Sequence, residues 1–258
     1  MKYHIDTIPV WDAVHLNSEC PLCALRRRTE RLLVQRSLGA SVMSPDTRLK
    51  VNQKGFCASH QAMLYAYPGG NRLGHGLMML SHLQTQRPRL NNAILCGKPG
   101  GREGGTLASR LFGKAQASGS EQSTIIREVS AACLLCEELE QQSERQAASL
   151  VHLWKTDPHF RESFSQSKGL CVPHSDSVSR MANEFLSGTQ LEEFLTVLQS
   201  LLNGSLARLE EELAWFTQKF DYRNAQEPWG NSRDALERTV NKLQGWCLGS
   251  EPMQDETT

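Results

Sequence analysis

The sequence is short of aromatic residues, of net charge and of long apolar runs. Phe, Trp and Tyr make up 7% of its 258 residues, and mean hydropathy is −0.44, both of which fit a soluble protein. Lys plus Arg and Asp plus Glu each number 28. That balance excludes a global electrostatic pull toward nucleic acid or anionic membrane and leaves only local patches. No apolar run approaches the roughly 20 residues that span a bilayer. Nor is there a convincing period-two pattern of the kind strands show. The opening, Met1-Lys2-Tyr3-His4-Ile5-Asp6-Thr7-Ile8-Pro9-Val10-Trp11-Asp12, has no long apolar core, so no secretory signal is expected. The expected compartment is the cytoplasm. Thiols stay reduced there, and patterned cysteines point to metal or catalysis rather than disulfides.

What is present is a patterned set of cysteines. Six of the 8 fall into two matching groups: Cys20, Cys23 and Cys57, followed by His60, and Cys133, Cys136 and Cys171, followed by His174. The second group repeats the first 113 or 114 residues later, which reads as an internal duplication. The flanks agree, with Lys54-Gly55-Phe56-Cys57 beside Lys168-Gly169-Leu170-Cys171. Cys96 and Cys247 fall outside the pattern and are expected not to bind metal.

The remainder reads as helix. Pro21 after Cys20 suits a first helical position, which places Cys20 and Cys23 at a helix start. Pro173 is tolerable only in a first turn, so Cys171 belongs near a helix N-terminus. Gly55 and Gly169 supply turns just before the second donor pair. Asn71 to Gln86 is expected to be helical, with Leu73, Leu77, Leu80 and Leu83 on one face. Gln190 to Phe220 is the longest amphipathic stretch. Between the copies, Gly-rich runs such as Lys98-Pro99-Gly100-Gly101 have linker composition, with a short helical patch over Leu107–Phe112. The expected fold is mainly α: a first zinc module over residues 1–88, a flexible linker over 89–124, and a second module over 125–258 carrying the long helix.

Zinc prefers four tetrahedral donors, with thiolate and imidazole favoured. Cys-x-x-Cys offers two sulfurs from one turn of chain, and Cys-x-x-His supplies the other pair. The expectation is two structural zinc ions per chain, one on Cys20, Cys23, Cys57 and His60, the other on Cys133, Cys136, Cys171 and His174. An iron–sulfur cluster with one histidine donor is the main rival. Ala24 and Glu137 exclude the simple haem-attachment motif, which needs His after the second Cys.

The opening twelve residues followed by Glu19-Cys20-Pro21-Leu22-Cys23 resemble a bacterial family known as domain of unknown function 6062. Gly55-Phe56-Cys57, Asn71-Arg72-Leu73-Gly74, Phe220-Asp221-Tyr222-Arg223-Asn224 and Pro228-Trp229-Gly230-Asn231-Ser232 resemble it too. The resemblance spans nearly the whole chain outside the linker. It implies a bacterial protein and no particular activity.

Three other constellations stand out. Arg26, Arg27, Arg28, Arg31 and Arg36 form a basic helix face, a candidate for phosphate contact or simply a solvated surface. His4, Asp6, Asp12 and His15 are candidate acid–base or metal residues, or parts of a docked N-terminal segment; His75 and His82 read as polar-face histidines. Asp221 to Gly230 is a loop in which Trp229 would stack and Arg223 pair an anion, or which caps the long helix. Closed four-donor sites and the lack of a nucleophile–base or phosphate-loop motif favour a scaffold that binds another protein over an enzyme. The alternatives are an enzyme or ligand-binding site between the His4/Asp6 segment and the Asp221–Trp229 loop, and a nucleic-acid binder.

Overall fold

The computed structural model describes residues 7–95 and 117–249. His4, Asp6, Cys96 and the Leu107–Phe112 patch lie outside the described residues. Eleven α-helices are found among those described: α1 (Ile8–Val14), α2 (Pro21–Leu38), α3 (Pro45–Lys54), α4 (Ala58–Ala66), α5 (Arg72–Leu95), α6 (Ala117–Ala131), α7 (Leu134–Thr156), α8 (Pro158–Ser165), α9 (Val172–Phe185), α10 (Gly188–Gln218) and α11 (Ala235–Gln244). There is no strand among the described residues, as the missing period-two pattern predicts.

The helices run twice through one order. A long helix (α2, α7) leads to a short one that opens on proline behind a capping side chain (α3, α8). A short helix capped by cysteine follows (α4, α9), then another long one (α5, α10). The short helices start where they do for a local reason. Ser44 accepts from the Thr47 N–H before Pro45, and Asp157 accepts from the His159 and Phe160 N–H groups before Pro158. Each cap satisfies amides that a helix N-terminus leaves unpaired, and proline at the first position sacrifices no needed donor.

The chain forms two compact units, Met1–Thr29 with Glu140–Thr258, and Glu30–Leu139. These cut the chain differently from the sequence-based division at 1–88, 89–124 and 125–258, because their boundaries fall inside α2 and α7. Both ends of the expected linker are helical: residues 89–95 belong to α5 and 117–124 to α6.

In the first unit, Phe160, Phe164 and Phe194 are fully buried. Successive ring centroids lie 6.1 and 6.4 Å apart, with Trp154 edge-on to Phe194 at 5.1 Å. Each such ring contributes on the order of 1.5–3 kcal/mol by leaving water. The apolar face of α10 is consumed here: Phe194, Leu198 and Leu209 are all buried. The long helix is therefore part of the core.

The second unit centres on Val51, Leu64, Met78 and Leu135. Its helix α5 is inside out relative to its periodicity. Met78, His82 and Gln86 point inward and are buried. Leu73, Leu77, Leu80 and Leu83 point out, 75%, 38%, 52% and 59% exposed. Hydrogen bonds hold this orientation: His82 Nδ1 lies 3.1 Å from the Asn52 carbonyl, and Gln86 Nε2 donates to the carbonyls of Asn52 (2.6 Å) and Gln53 (3.1 Å). Those carbonyls end α3, where four acceptors lack helical partners. Rolling α5 to bury its leucines would orphan them.

Candidate metal centres

The eight expected donors converge in two clusters, and each cluster draws one half from each copy of the motif. Cys20 and Cys23 meet Cys171 and His174; Cys57 and His60 meet Cys133 and Cys136. These are the eight residues singled out in the sequence, but the structure gathers them across the two copies and not within each copy as expected. Each compact unit holds one cluster.

Local structure sets each half. Cys57 (φ −68°, ψ 167°) and Cys171 (φ −69°, ψ 162°) cap α4 and α9, with nearly identical backbones. Their histidines sit three residues on, in the first turn, so thiol and imidazole face the same way. Two residues before each capping cysteine a glycine takes positive φ, 64° at Gly55 and 71° at Gly169. A Cβ at Gly55 would lie 2.7 Å from His82 Nε2, and one at Gly169 would lie 2.9 Å from Leu201 Cβ. Both positions therefore need glycine for conformation and for space. Cys20 and Cys133 immediately precede the turns that open α2 and α7, and their carbonyls accept the first helical amides, from Ala24 (3.2 Å) and Glu137 (3.2 Å).

The geometry fits one metal ion per cluster. In the first, Cys23 Sγ lies 3.5 Å from Cys171 Sγ, and His174 Nδ1 lies 3.5, 3.3 and 3.1 Å from the sulfurs of Cys20, Cys23 and Cys171. In the second, Cys57 and Cys136 sulfurs are 3.7 Å apart, and His60 Nδ1 is 3.3 Å from each of Cys57, Cys133 and Cys136. A tetrahedron with ordinary zinc bond lengths has edges of about 3.8 Å between sulfurs and about 3.6 Å between sulfur and nitrogen. A disulfide would bring sulfurs to about 2.05 Å. The seven described cysteines are all free thiols.

Burial and charge distinguish the two centres. Three donors of the first are buried and His174 is half-buried; in the second, Cys136 is exposed and Cys57 half-buried. Without metal, protons are shared unequally. His60 is raised to about 10 by the Cys133 thiol and then by Glu30. Its Nε2 lies 3.3 Å from Glu30 Oε1, an arrangement that leaves Nδ1 to face the sulfurs. Cys133 falls to about 6, burial opposing and the His60 hydrogen bond prevailing. Cys136 is pushed up to about 12 by burial and by Cys133. In the first centre burial works against charge on His174, yet the hydrogen bonds with Cys171 and Cys20 raise it to about 10. Cys20 drops well below its ordinary value, its neighbours Cys171, Cys23 and His174 outweighing burial. Cys23 is driven far up, first by Cys171 and then by Cys20 and burial. Each metal-free cluster thus holds one thiolate–imidazolium pair and at least one retained thiol proton.

Sequence reasoning missed the groups that clamp the first centre. Lys242 is fully buried, and its ammonium donates to the carbonyls of Glu19 (3.0 Å) and Lys168 (2.6 Å). Those carbonyls precede the two donor pairs, so one side chain ties both segments of the site. Burial lowers the Lys242 pKa, partly opposed by the charge of Glu19. The Trp246 amide lies 3.4 Å from Cys23 Sγ as a donor to it. Nothing in the spacing of Lys242 or Trp246 marks them in advance, because they approach from α11 and its exit. Replacing Lys242 with Met keeps the stem and removes the donor. Its expected effect is a loss of about 3 kcal/mol, the scale for stripping a buried polar cluster of its charge. Chemical denaturation beside the parent measures it; a loss below about 1 kcal/mol would show that the carbonyls find other donors.

The other candidates are engaged elsewhere. Arg26 pairs with Glu140 (3.1 Å), Arg27 stacks 4.6 Å over Trp246, and Arg36 pairs with Glu138. His15 Nδ1 lies 2.9 Å from the Trp11 carbonyl, and His75 Nε2 2.8 Å from Gln61 Oε1. Asp12 is exposed on α1. Arg223 pairs with Asp221 at 2.6 Å, while Trp229 packs on Phe216 (5.9 Å) and Phe220 (6.5 Å). Lys219 donates to the Asn224 carbonyl (2.6 Å), so this loop caps α10. Cys247 is exposed and belongs to neither cluster.

Fold and sites define an all-helical class with paired Cys3His donor sets, each closed between two halves of one chain. The match to a family of unknown function, DUF6062, runs over residues 1–250, and the chain belongs to that family. No curated protein and no solved structure matches it.

Proposed function

We propose that this chain is a cytoplasmic protein-interaction scaffold whose two helical units are each stabilised by one structural zinc ion. The observation that carries the reading is the pair of complete four-donor sets, with all donor atoms of each set within 4.8 Å of one another. That spacing suits a single ion. An iron–sulfur cluster spreads its protein ligands over several irons and needs wider separation. Four protein donors leave zinc no open coordination position, which favours structure over catalysis. Reduced thiols suit the cytoplasm, and no described helix is long and apolar enough to cross a membrane.

Metal analysis of the anaerobically purified chain tests the first half of the reading. Two equivalents of zinc are expected; iron with inorganic sulfide, or no metal, refutes it. A second reading, a site for a small polar ligand, rests on a cavity of about 570 Å³ in the first unit, between Glu19, Lys168, Arg208, Glu212, Asp234 and Arg238. Its charges largely satisfy one another: Arg208 meets Glu19 at 2.7 Å and Glu212 at 3.1 Å, and Arg238 meets Asp234 at 2.8 Å. That mutual pairing places it second.

A further inference from the structure

We infer that the outward face of α5 (Leu73, Leu77, Leu80 and Leu83) docks an acid-flanked amphipathic helix of another protein, an assignment that rests on the scaffold reading above. Four leucines at i, i+4, i+7 and i+10 make a continuous stripe, about 15 Å long at the helical rise of 1.5 Å per residue. All four are substantially exposed. Single exposed leucines need no explanation, but an aligned row on one helix marks an interaction surface. The row cannot turn inward, because His82 and Gln86 on the opposite face hold the carbonyls that end α3.

Charge chooses the occupant. From Arg72 to Leu95, α5 contains no acidic residue. Arg72, whose guanidinium stacks 4.7 Å over the Tyr65 ring and has no acidic partner among the described residues, and Arg87 bracket the stripe, and both are exposed. Arg89, by contrast, is already paired with Glu128 at 3.1 Å. A second copy of α5 laid on the stripe would set arginine against arginine in either direction. A helix of about three turns, with apolar residues at the same spacing and Asp or Glu beside them, buries the leucines and meets both arginines. The leucines then act as anchors for the partner's apolar face, and the charges fix the partner.

Two experiments on the full zinc-loaded chain test it. In the first, an 18-residue helical peptide carrying leucines at this spacing and flanking glutamates is titrated against the protein, beside the same peptide with lysines. The glutamate peptide is expected to bind, and both the lysine peptide and the Leu80→Glu variant to weaken binding at least about tenfold. Leu73→Glu serves as the second variant, and each must keep its helical spectrum and both metals. Equal affinity for the two peptides, or none for either, overturns the assignment. So does a dimer that Leu80→Glu dissociates, or adsorption to anionic vesicles that Leu80→Glu abolishes. In the second experiment, a photo-crosslinking residue replaces Leu80 or, as a control, exposed Arg180 on α9, and the attached peptides are sequenced. An acidic amphipathic segment attached at position 80 supports the assignment. Attachment at position 180 alone refutes it and leaves the scaffold reading standing; attachment at neither refutes both.

Discussion

Replacing Cys23 with Ser and His174 with Ala together removes one zinc per chain, the same one that either change removes alone. Replacing Cys23 and Cys136 together removes both. The expectation follows from the crossed grouping of donors, in which Cys23 shares a centre with His174, 151 residues away, and Cys136 shares one with His60, 76 residues away. Grouping within each copy makes a different forecast: Cys23 with Cys57 would then cost one zinc rather than two. Because structural zinc supplies about 10–16 kcal/mol of apparent binding energy, each lost centre is also expected to unfold its unit. Zinc stoichiometry of the three double variants, with circular dichroism beside it, decides between the groupings. One zinc retained after Cys23→Ser with Cys57→Ser would eliminate the crossed arrangement.

Zinc affinity at each centre is expected to rise at least about 100-fold per pH unit near neutrality, a slope of at least two released protons. The protons come from named groups. His60, at about 10, and Cys136, at about 12, are protonated in the metal-free second centre. In the first they are His174, at about 10, and Cys23, raised far higher. Acid therefore opposes loading. The metal-free protein behaves oppositely where these histidines are concerned. Their pKa values are raised from 6.5 to about 10 on folding. The resulting stability is complete below the unfolded value and disappears as pH climbs through the folded one. Competition with a chromophoric chelator across about two pH units around neutrality, where the metal stays soluble, measures the slope. A slope below about one proton per site would mean that the clusters are already deprotonated before metal arrives.

All eight residues of the two clusters were legible in the sequence, because Cys-x-x-Cys and Cys-x-x-His each fix their own geometry within a single turn. Their grouping was not. The two copies carry the same chemistry at nearly the same offsets, so either Cys-x-x-His half satisfies either Cys-x-x-Cys half on paper. Helix lengths decide. Eighteen residues of α2 run about 27 Å, whereas the ten of α3 cover only about 15 Å. His60 meets Glu30, inside α2, and not the cysteines at its start. The apolar period of α5 correctly marked a helix and a single leucine face, but the expected end at Gln86 fell short. Pro88 lies inside this helix, which continues to Leu95. Periodicity also failed to say which face turns in. Buried His82 and Gln86 serve the end of α3, a tertiary demand that outranks hydrophobic pattern and leaves no trace in it.

The crossed donors also dictate an order of events during synthesis. The pair Cys57 and His60 waits only for Cys133 and Cys136, so its closure is possible once Leu139 completes the second unit. Cys20 and Cys23 must wait for Cys171 and His174. The first closure lies wholly inside the second: 73 residues separate His60 from Cys133, against 148 between Cys23 and Cys171. Once the inner one forms, the free chain that the outer must gather is roughly halved, which lowers its entropic cost by about 0.6 kcal/mol. A ribosome feeding the chain out from its N-terminus thus finishes the middle before the ends, and the first residues made are among the last to find their partners.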